Sequence, residues 1–518
     1  MARTVFDIAK AVANLLDYST SKLGLTTVDK MYAQNQLFDW LEINEPTQGN
    51  YTSAMELHKS ILEPIAKYAI RNGFTKFEEL TETNLQTVEA KVMGFVTPSA
   101  GLVVNTFQSK AAYLGIQQAT DYLYDLSKDS YYIRTKDIEK NMVWNASSER
   151  GNIVVTINLS KPEKDNKQVA YERTLPQQSY PKCVICPDVI GYAGSHKVPA
   201  RQPLRMIPLN LANENWFLQY SPYVYFDNHC IAISEKHEPM EISRNTFVRL
   251  ADFVEQFPHY FMGSNADLPI VGGSILSHNH FQGGKKVLPM FERGIRKRFS
   301  SATYKNAEIG ILDWYNSVVS IRSKDRAQAI RCASSVLSAW REYTDKEHNI
   351  IAKTEDEPHN TITSVATYTE DEGYTFYLIL RNNRTTSKYP HGIFHPTADM
   401  HNIKGEGIGI IEAMGTFILP GRLFNEMQCI AEVLTGAKPA DFRKMSTSEK
   451  HPLHKHLGMV MQLVNDHGTA LEEEQAESII TEYINNTCFK ILDCTAVFKN
   501  TEEGQAGFAK FLAKAGIN

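Results

Sequence analysis

The sequence lacks any long apolar run, any surplus of basic residues and any dense set of cysteines. No stretch approaches the ~18 uncharged apolar residues of a membrane span, and Asp7, Lys10 and Asp17 interrupt the start, so we expect no membrane partner and no signal peptide. The 54 basic residues do not outnumber the 59 acidic ones, which argues against a nucleic-acid partner. The seven scattered cysteines are typical of reduced thiols. These absences predict a cytoplasmic protein.

The length of 518 residues exceeds a single typical core, and the hydrophobic spacing changes along it. Helical spacing without a chemical motif comes first, as in Ile8, Val12 and Leu15, and alternating β-branched residues begin near Asn152. A Lys- and Asp-rich turn is predicted at 161–167. The pattern predicts an α+β protein in four regions: a helical N-terminal region 1–145, two sheet-and-helix regions 146–300 and 301–420, and a helical C-terminal region 421–518.

The chemistry is concentrated in one run, residues 267–284, which reads DLPIVGGSILSHNHFQGG. If residues 277–282 are extended, His278, His280 and Gln282 share one face of the strand. Residues two apart on a strand lie roughly 7 Å apart, so the two histidines can serve neighbouring centres. The alternative interpretation is a polar strand edge between two ordinary glycine turns.

The glycines of this run indicate a phosphate. Gly272 and Gly273 lack Cβ atoms, so an anionic ligand can approach the backbone N–H groups there and at Ser274. We expect these three residues to bind substrate.

The spacing Cys183-x-x-Cys186 lets two thiolates bind one tetrahedral metal ion, with two further ligands from elsewhere. A thioredoxin-like redox pair is disfavoured, because Pro181 and Pro187 flank the motif and that redox motif opens a helix. Two buried thiols without a metal are the remaining alternative.

The run at 267–284 resembles the signature of the class II galactose-1-phosphate uridylyltransferases of the histidine-triad superfamily. The resemblance implies duplicated histidine-triad-like halves with helical additions, in a transferase that moves UMP between UDP-glucose and galactose 1-phosphate. It assigns His280 as the nucleophile of a ping-pong reaction and Gln282 as a hydrogen-bond donor to the phosphoryl group. The partners are then small-molecule substrates, with no organic cofactor and a possible homodimer. The alternatives are another histidine-triad nucleotidyl phosphorylase or hydrolase, and a zinc-stabilised interaction scaffold.

The resemblance also implies a structural zinc site. The class I branch binds it through positions that match Cys183, Cys186, His237 and His278, with His229 as the rival of His237. A second metal site of that branch is expected to be absent, because the comparable strand reads Leu380-Arg-Asn-Asn383; His359 is either its remnant or a solvated loop histidine.

The segment from His391 to Met414 resembles the substrate-binding segment of the family. Lys404 matches a lysine that meets phosphate, and Glu412 matches a glutamate that holds sugar hydroxyls, although the class I spacing between them is two residues shorter. The alternative for Lys404 is a solvated surface lysine. Glu412 lies beside Ile410 and Ile411, where an unpaired buried carboxylate would be costly, which favours a functional role.

Overall fold

The computed structural model describes residues 2–160 and 179–518, with side chains from residue 7 on. The turn predicted at 161–167 lies outside the described residues. The strands in chain order are β1 (Met142–Ser148), β2 (Gly151–Asn158), β3 (Ile207–Leu211), β4 (Glu214–Tyr220), β5 (Cys230–Ser234), β6 (Tyr260–Ser264), β7 (His280–Lys285), β8 (Ile295–Phe299), β9 (Glu308–Leu312), β10 (Val318–Ser323), β11 (Lys353–Thr354), β12 (Glu357–Pro358), β13 (Asn360–Thr369), β14 (Gly373–Asn382) and β15 (Thr416–Pro420).

Helices cover both ends of the chain and connect strands in its middle. They are α1 (Ala2–Leu23), α2 (Thr27–Leu41), α3 (Glu63–Arg71), α4 (Glu82–Val96), α5 (Ala100–Leu114), α6 (Ile116–Asp129), α7 (Thr135–Ile138), α8 (Arg244–Gln256), α9 (Arg326–Arg341), α10 (Ile410–Ala413), α11 (Arg422–Leu434), α12 (Phe442–Thr447), α13 (Leu457–His467), α14 (Glu473–Thr495) and α15 (Glu502–Lys514). Among the described residues, no helix is long and apolar enough to cross a membrane.

A ten-stranded antiparallel sheet forms the centre of the fold, in the order β3-β4-β5-β7-β6-β13-β14-β10-β9-β8. Its first five strands are ordered β3-β4-β5-β7-β6, and α8 connects β5 to β6. Its last five are ordered β8-β9-β10-β14-β13, and α9 connects β10 to the β13 side. The two halves therefore share one topology and meet where β6 pairs with β13. The α+β class is confirmed, whereas the four region boundaries and the homodimer stay predictions.

Two hydrophobic cores cover the two faces of this sheet. On one face α8 and α9 pack with the N-terminal helices, and the Phe281 ring stacks on Trp216 with centroids 4.8 Å apart. On the other face, Phe261 and Val365 belong to the core that holds β2, β15 and helices α11 to α14. Because side chains alternate along a strand, Phe281 on the first face places its neighbours His280 and Gln282 on the second.

Candidate active site and metal cluster

Four side chains from three segments meet beside the start of β7. Ligand atoms of Cys183, Cys186, His237 and His278 all lie within 4.8 Å of one another, and no other such group occurs in the part of the chain that the structure describes. The Cys186 amide donates to the Cys183 carbonyl at 3.3 Å, and this turn brings the two sulfurs to 3.4 Å. His229, the rival ligand, is not part of the cluster.

The spacing of the cluster fits a tetrahedral ion. Zinc binds sulfur at about 2.3 Å and nitrogen at about 2.0–2.1 Å, which places sulfur and nitrogen ligands roughly 3.5 Å apart. The Cys186 sulfur lies 3.2 Å from Nδ1 of His237 and 3.5 Å from Nδ1 of His278, and the Cys183 sulfur lies 3.4 Å from Nδ1 of His278. Two thiols converging on two imidazoles are a metal-binding set rather than a redox pair.

The protonation states of the cluster also suit a cation. The His278 Nε2–H donates to the Ser234 carbonyl at 2.9 Å, which leaves the Nδ1 lone pair facing the sulfurs. Burial lowers the pKa of His278 to about 4, so the ring is neutral at pH 7. Burial and the neighbouring Cys183 raise the pKa of the Cys186 thiol to about 12 when no cation is beside it. Metal binding at this cluster must therefore release protons.

His280, the first residue of β7, is oriented by the backbone carbonyl of His278, which is itself one of the four cluster residues. Its Nδ1–H donates to the His278 carbonyl at 2.7 Å, so its lone pair lies on Nε2. The side chain is 6% exposed, and burial lowers its pKa, which keeps the imidazole neutral. A neutral imidazole with one fixed N–H is the form that can act as a nucleophile. The strand begins at His280, three residues later than expected from the sequence, and Ser277 lies in a bend.

Gln282 lies on the same face of β7 as His280, and its side chain is held by His229. The sequence analysis did not assign this role to His229. The Nε2 of His229 lies 3.0 Å from the Gln282 carbonyl oxygen. Burial lowers the pKa of His229 to about 4, so the neutral ring donates, and among the described residues the Gln282 amide hydrogens have no acceptor. The His229 ring packs on Phe226 with centroids 4.6 Å apart. In the sequence, His229 is recognisable as a histidine at the start of a predicted strand. That position does not show which strand lies beside it, so the contact with Gln282 could not be predicted.

The glycine loop, residues 272–274, is closely packed against neighbouring residues. A Cβ on Gly273 would lie 2.6 Å from Nδ2 of Asn265, and a Cβ on Gly272 would lie 2.6 Å from the Ala266 carbonyl. Ile270, just before them, has a φ of 72°, a left-handed conformation that is costly for a β-branched residue. Ser274 is exposed. The phosphate-binding role of these residues stays a prediction.

Lys404 and Glu412 contact each other. The Lys404 ammonium donates to Oε1 of Glu412 at 2.9 Å and to the Ile418 carbonyl at 2.9 Å, and both side chains are buried. The second Glu412 oxygen accepts from the Gly409 amide at 3.2 Å. Glu412 is therefore a paired carboxylate, so the cost of an unpaired one no longer argues for a functional role, and the solvated alternative for Lys404 is wrong. Their substrate-binding roles stay predictions.

A glycine in β6 brings the Glu412 segment to the face that bears Gln282. Gly263 pairs directly with Gln282, and a Cβ on Gly263 would lie 2.4 Å from Cδ1 of Ile410. Since Ile410 begins the short helix α10, this helix lies over the strand next to Gln282. The segment that contains Glu412 therefore lies close to β7, the strand that bears His280 and Gln282.

His359 does not form part of a second metal cluster among the described residues. It is buried, and its two ring nitrogens lie 3.1 Å from Oδ1 of Asn383 and 2.9 Å from Oγ1 of Thr354. The solvated-loop alternative for His359 is therefore wrong, and its neighbours are an amide and a hydroxyl rather than metal ligands.

The sequence comparisons match this chain to galactose-1-phosphate uridylyltransferases. Residues 29–239 match the family described as galactose-1-phosphate uridyl transferase, N-terminal domain. A galactose-1-phosphate uridylyltransferase of Caldanaerobacter subterraneus is 43% identical over 516 residues, which cover 99% of this chain and 98% of that protein. Proteins of the same name from Fusobacterium nucleatum (41% identity, 98% of this chain and 99% of that protein) and Bacillus subtilis (40%, 98% of each) are similar over nearly their full length.

Among solved structures, yeast Ap4A phosphorylase Apa2 resembles 57% of this chain and 88% of its own, with 9% identity and a TM-score of 0.30. That likeness is too weak to support an inference. The relatives, in contrast, share about two residues in five with the whole chain, and they are all nucleotidyltransferases by name. The chain belongs to the galactose-1-phosphate uridylyltransferase family.

Proposed function

We propose that this protein exchanges UMP between UDP-glucose and galactose 1-phosphate through a covalent uridylyl group on His280. One observation carries the proposal: the Nδ1–H bond from His280 to the His278 carbonyl, at 2.7 Å, fixes a neutral ring with its lone pair on Nε2. Family membership supplies the class of substrate, and this geometry supports His280 as the nucleophile.

In the first half-reaction, Nε2 of His280 attacks the α-phosphorus of UDP-glucose. An N–P bond forms, and the bond between the α-phosphorus and the bridging oxygen breaks, so that glucose 1-phosphate leaves with the electron pair. The ring keeps its Nδ1 proton and becomes a cation, which the His278 carbonyl stabilises. In the second half-reaction a phosphate oxygen of galactose 1-phosphate attacks the same phosphorus and the N–P bond breaks. No proton has to move in either step.

Gln282 suits this exchange, because a phosphate leaving group needs little protonation. Its carbonyl oxygen accepts from His229, so its amide nitrogen can donate to a non-bridging oxygen of the phosphoryl group. A side-chain amide cannot deliver a proton, which favours transfer between phosphates over a reaction that must protonate its leaving group.

The Cys183 cluster would hold a structural zinc ion through all four of its ligands. The ion would fix the position of His278, whose carbonyl orients His280. With four protein ligands it would have no open position for substrate. Lys404, Glu412 and the glycine loop at 272–274 are the proposed substrate contacts, and the Lys404–Glu412 ion pair would have to open if each residue meets a different part of the hexose phosphate.

The test is isotope exchange between UDP-glucose and labelled glucose 1-phosphate with no galactose 1-phosphate present. Wild type should exchange label, and His280→Gly should not, because the exchange passes through the uridylyl intermediate. Exchange at a near-normal rate in His280→Gly would refute the assignment. An enzyme that instead formed a covalent adenylyl adduct from a dinucleoside polyphosphate would support the phosphorylase or hydrolase alternative.

A further inference from the structure

A large cavity lies between the end of the second half-sheet and the C-terminal segment, and four of its lining residues belong to the segment from His391 to Met414. Its volume is about 990 Å³, well above the 380 and 160 Å³ of two other cavities. Its walls come from the segments 347–349, 384–397 and 494–510. None of its lining residues belongs to the signature run, the metal cluster or the Lys404–Glu412 pair. The proposed reaction therefore leaves this cavity unexplained.

The walls of the cavity carry more cationic than anionic side chains. Arg384, Lys388, Lys499 and Lys510 line it, and none of the four lies within ion-pair distance of a carboxylate in residues 2–160 and 179–518. Lys499 donates to the carbonyls of Asp493 and Cys494 at 2.8 and 3.1 Å, and Lys510 interacts electrostatically with Asp345. Glu347 and Glu503 are the carboxylates in the lining, so cations outnumber them by two to one. In a chain with a net charge of −5, four such cations around one concavity mark a site for an anion.

The guanidinium of Arg384 is held in place by a hydrogen bond to the cavity wall. One terminal nitrogen of its guanidinium donates to the Asn349 carbonyl at 2.7 Å, which anchors the side chain against the wall. Its Nε atom is buried and has no hydrogen-bond partner among the described residues. Arg384 as a whole is only partly buried, and a planar guanidinium matches the geometry of phosphate oxygens.

The cavity also has aromatic and hydroxyl-bearing side chains that can contact the organic part of a phosphorylated ligand. Tyr389 and Phe394 contribute aromatic rings, and the lysines at 388 and 499 stand over them at 5.2 and 5.7 Å. The hydroxyl-bearing side chains Thr386, Thr397 and Thr501 also line the cavity. Small-molecule sites occupy about 300–1,000 Å³, so the cavity accepts a ligand of the size of a sugar phosphate or a nucleotide.

We propose that this cavity binds a small organic phosphate monoester at a site separate from His280. The segment 384–397 also packs against the loop before the signature strand, since a Cβ on Gly392 would lie 3.3 Å from Cγ2 of Ile270. A ligand bound in the cavity would therefore contact the segment 384–397, which itself packs next to the glycine loop. The proposal is independent of the chemistry assigned to His280.

The experiment is titration calorimetry of the full chain with two probes, glucose 6-phosphate and AMP, in wild type and in His280→Gly. Both proteins should bind at least one probe with about one site per chain and more tightly than inorganic phosphate. Arg384→Gln and Lys510→Gln should each weaken that binding roughly tenfold, because each removes one charge-assisted contact. Lys305→Gln, which removes an exposed lysine outside the cavity, is the matched control and should bind as wild type does.

Three results would overturn the proposal. Failure of both probes to saturate wild type at about 10 mM would leave the cavity without this class of ligand. Binding that is unchanged in both Arg384→Gln and Lys510→Gln would place the ligand elsewhere. Binding that is lost in His280→Gly and kept in Arg384→Gln would place it at the catalytic site. Lys510 is exposed, so its replacement keeps the test valid if Arg384→Gln fails to fold.

Discussion

Replacing His229 by Phe should slow uridylyl transfer without removing any group that touches the substrate. His229 is 2% exposed, and it donates from Nε2 to the Gln282 carbonyl at 3.0 Å. A phenylalanine keeps an aromatic ring beside Phe226 but has no N–H, so Gln282 loses the bond that fixes which end of its amide faces the phosphoryl group.

The expected size of the effect has a lower and an upper bound. A neutral hydrogen bond contributes about 0.5–1.5 kcal/mol, which corresponds to a loss of about twofold to tenfold in kcat. If Gln282 then turns away completely, the loss approaches that of Gln282→Ala, where one missing donor to a transition-state oxygen costs roughly 3 kcal/mol, or about a hundredfold. We therefore expect His229→Phe to lie between these values.

The assay is a double-mutant cycle on kcat with saturating substrates. If His229 acts only through Gln282, adding His229→Phe to Gln282→Ala should change kcat less than about twofold. His229→Gln keeps an N–H near the Nε2 position and should recover most of the wild-type rate. Thermal unfolding of each variant separates this effect from loss of the fold. Fully additive losses in the cycle would refute the positioning role of His229.

The other predictions concern the nucleophile, the metal, the kinetics and a buried ion pair. His280→Gly should fold and be inactive in both half-reactions, and measurable turnover at a near-normal rate would contradict its role. Purified protein should contain about one zinc ion per chain, lost in Cys183→Ser but kept in Cys429→Ser; an active, metal-free wild type would refute the site. Double-reciprocal plots at several galactose 1-phosphate concentrations should be parallel, and intersecting lines would indicate a ternary complex. The hydrogen bond to Glu89 raises the pKa of His58, so its stabilisation is complete below the unfolded-state pKa and is lost as pH rises through the folded-state value. The Tm difference between wild type and His58→Gln should therefore shrink from pH 6 to pH 9, whereas a constant difference would show that the ion pair does not contribute.

Local spacing and the family resemblance together predicted the metal cluster. The C-x-x-C spacing predicted Cys183 and Cys186, the resemblance to the class I branch added His237 and His278, and the structure brings these four together. The alternation of side chains along a strand placed His280 and Gln282 on one face, because that periodicity is a property of the extended backbone.

Contacts between distant segments could not be read in the same way. His229 meets Gln282 because Cys230 pairs with Gly283 across β5 and β7, a register that no local pattern encodes. Lys404 and Glu412 were assigned separate roles from the resemblance, and nothing in the sequence predicted that they contact each other. The cavity of about 990 Å³ is formed by three separate segments between residues 347 and 510, and its four cations look like ordinary surface residues in the sequence.

The central claim is that His280 carries UMP covalently, and intact-mass measurement tests it most directly. Wild type incubated with UDP-glucose alone should gain the mass of one uridylyl group and release an amount of glucose 1-phosphate that matches the enzyme. Adding galactose 1-phosphate should return the protein to its original mass, and His280→Gly should gain nothing. A wild-type protein that turns over both substrates but never gains this mass would contradict the account.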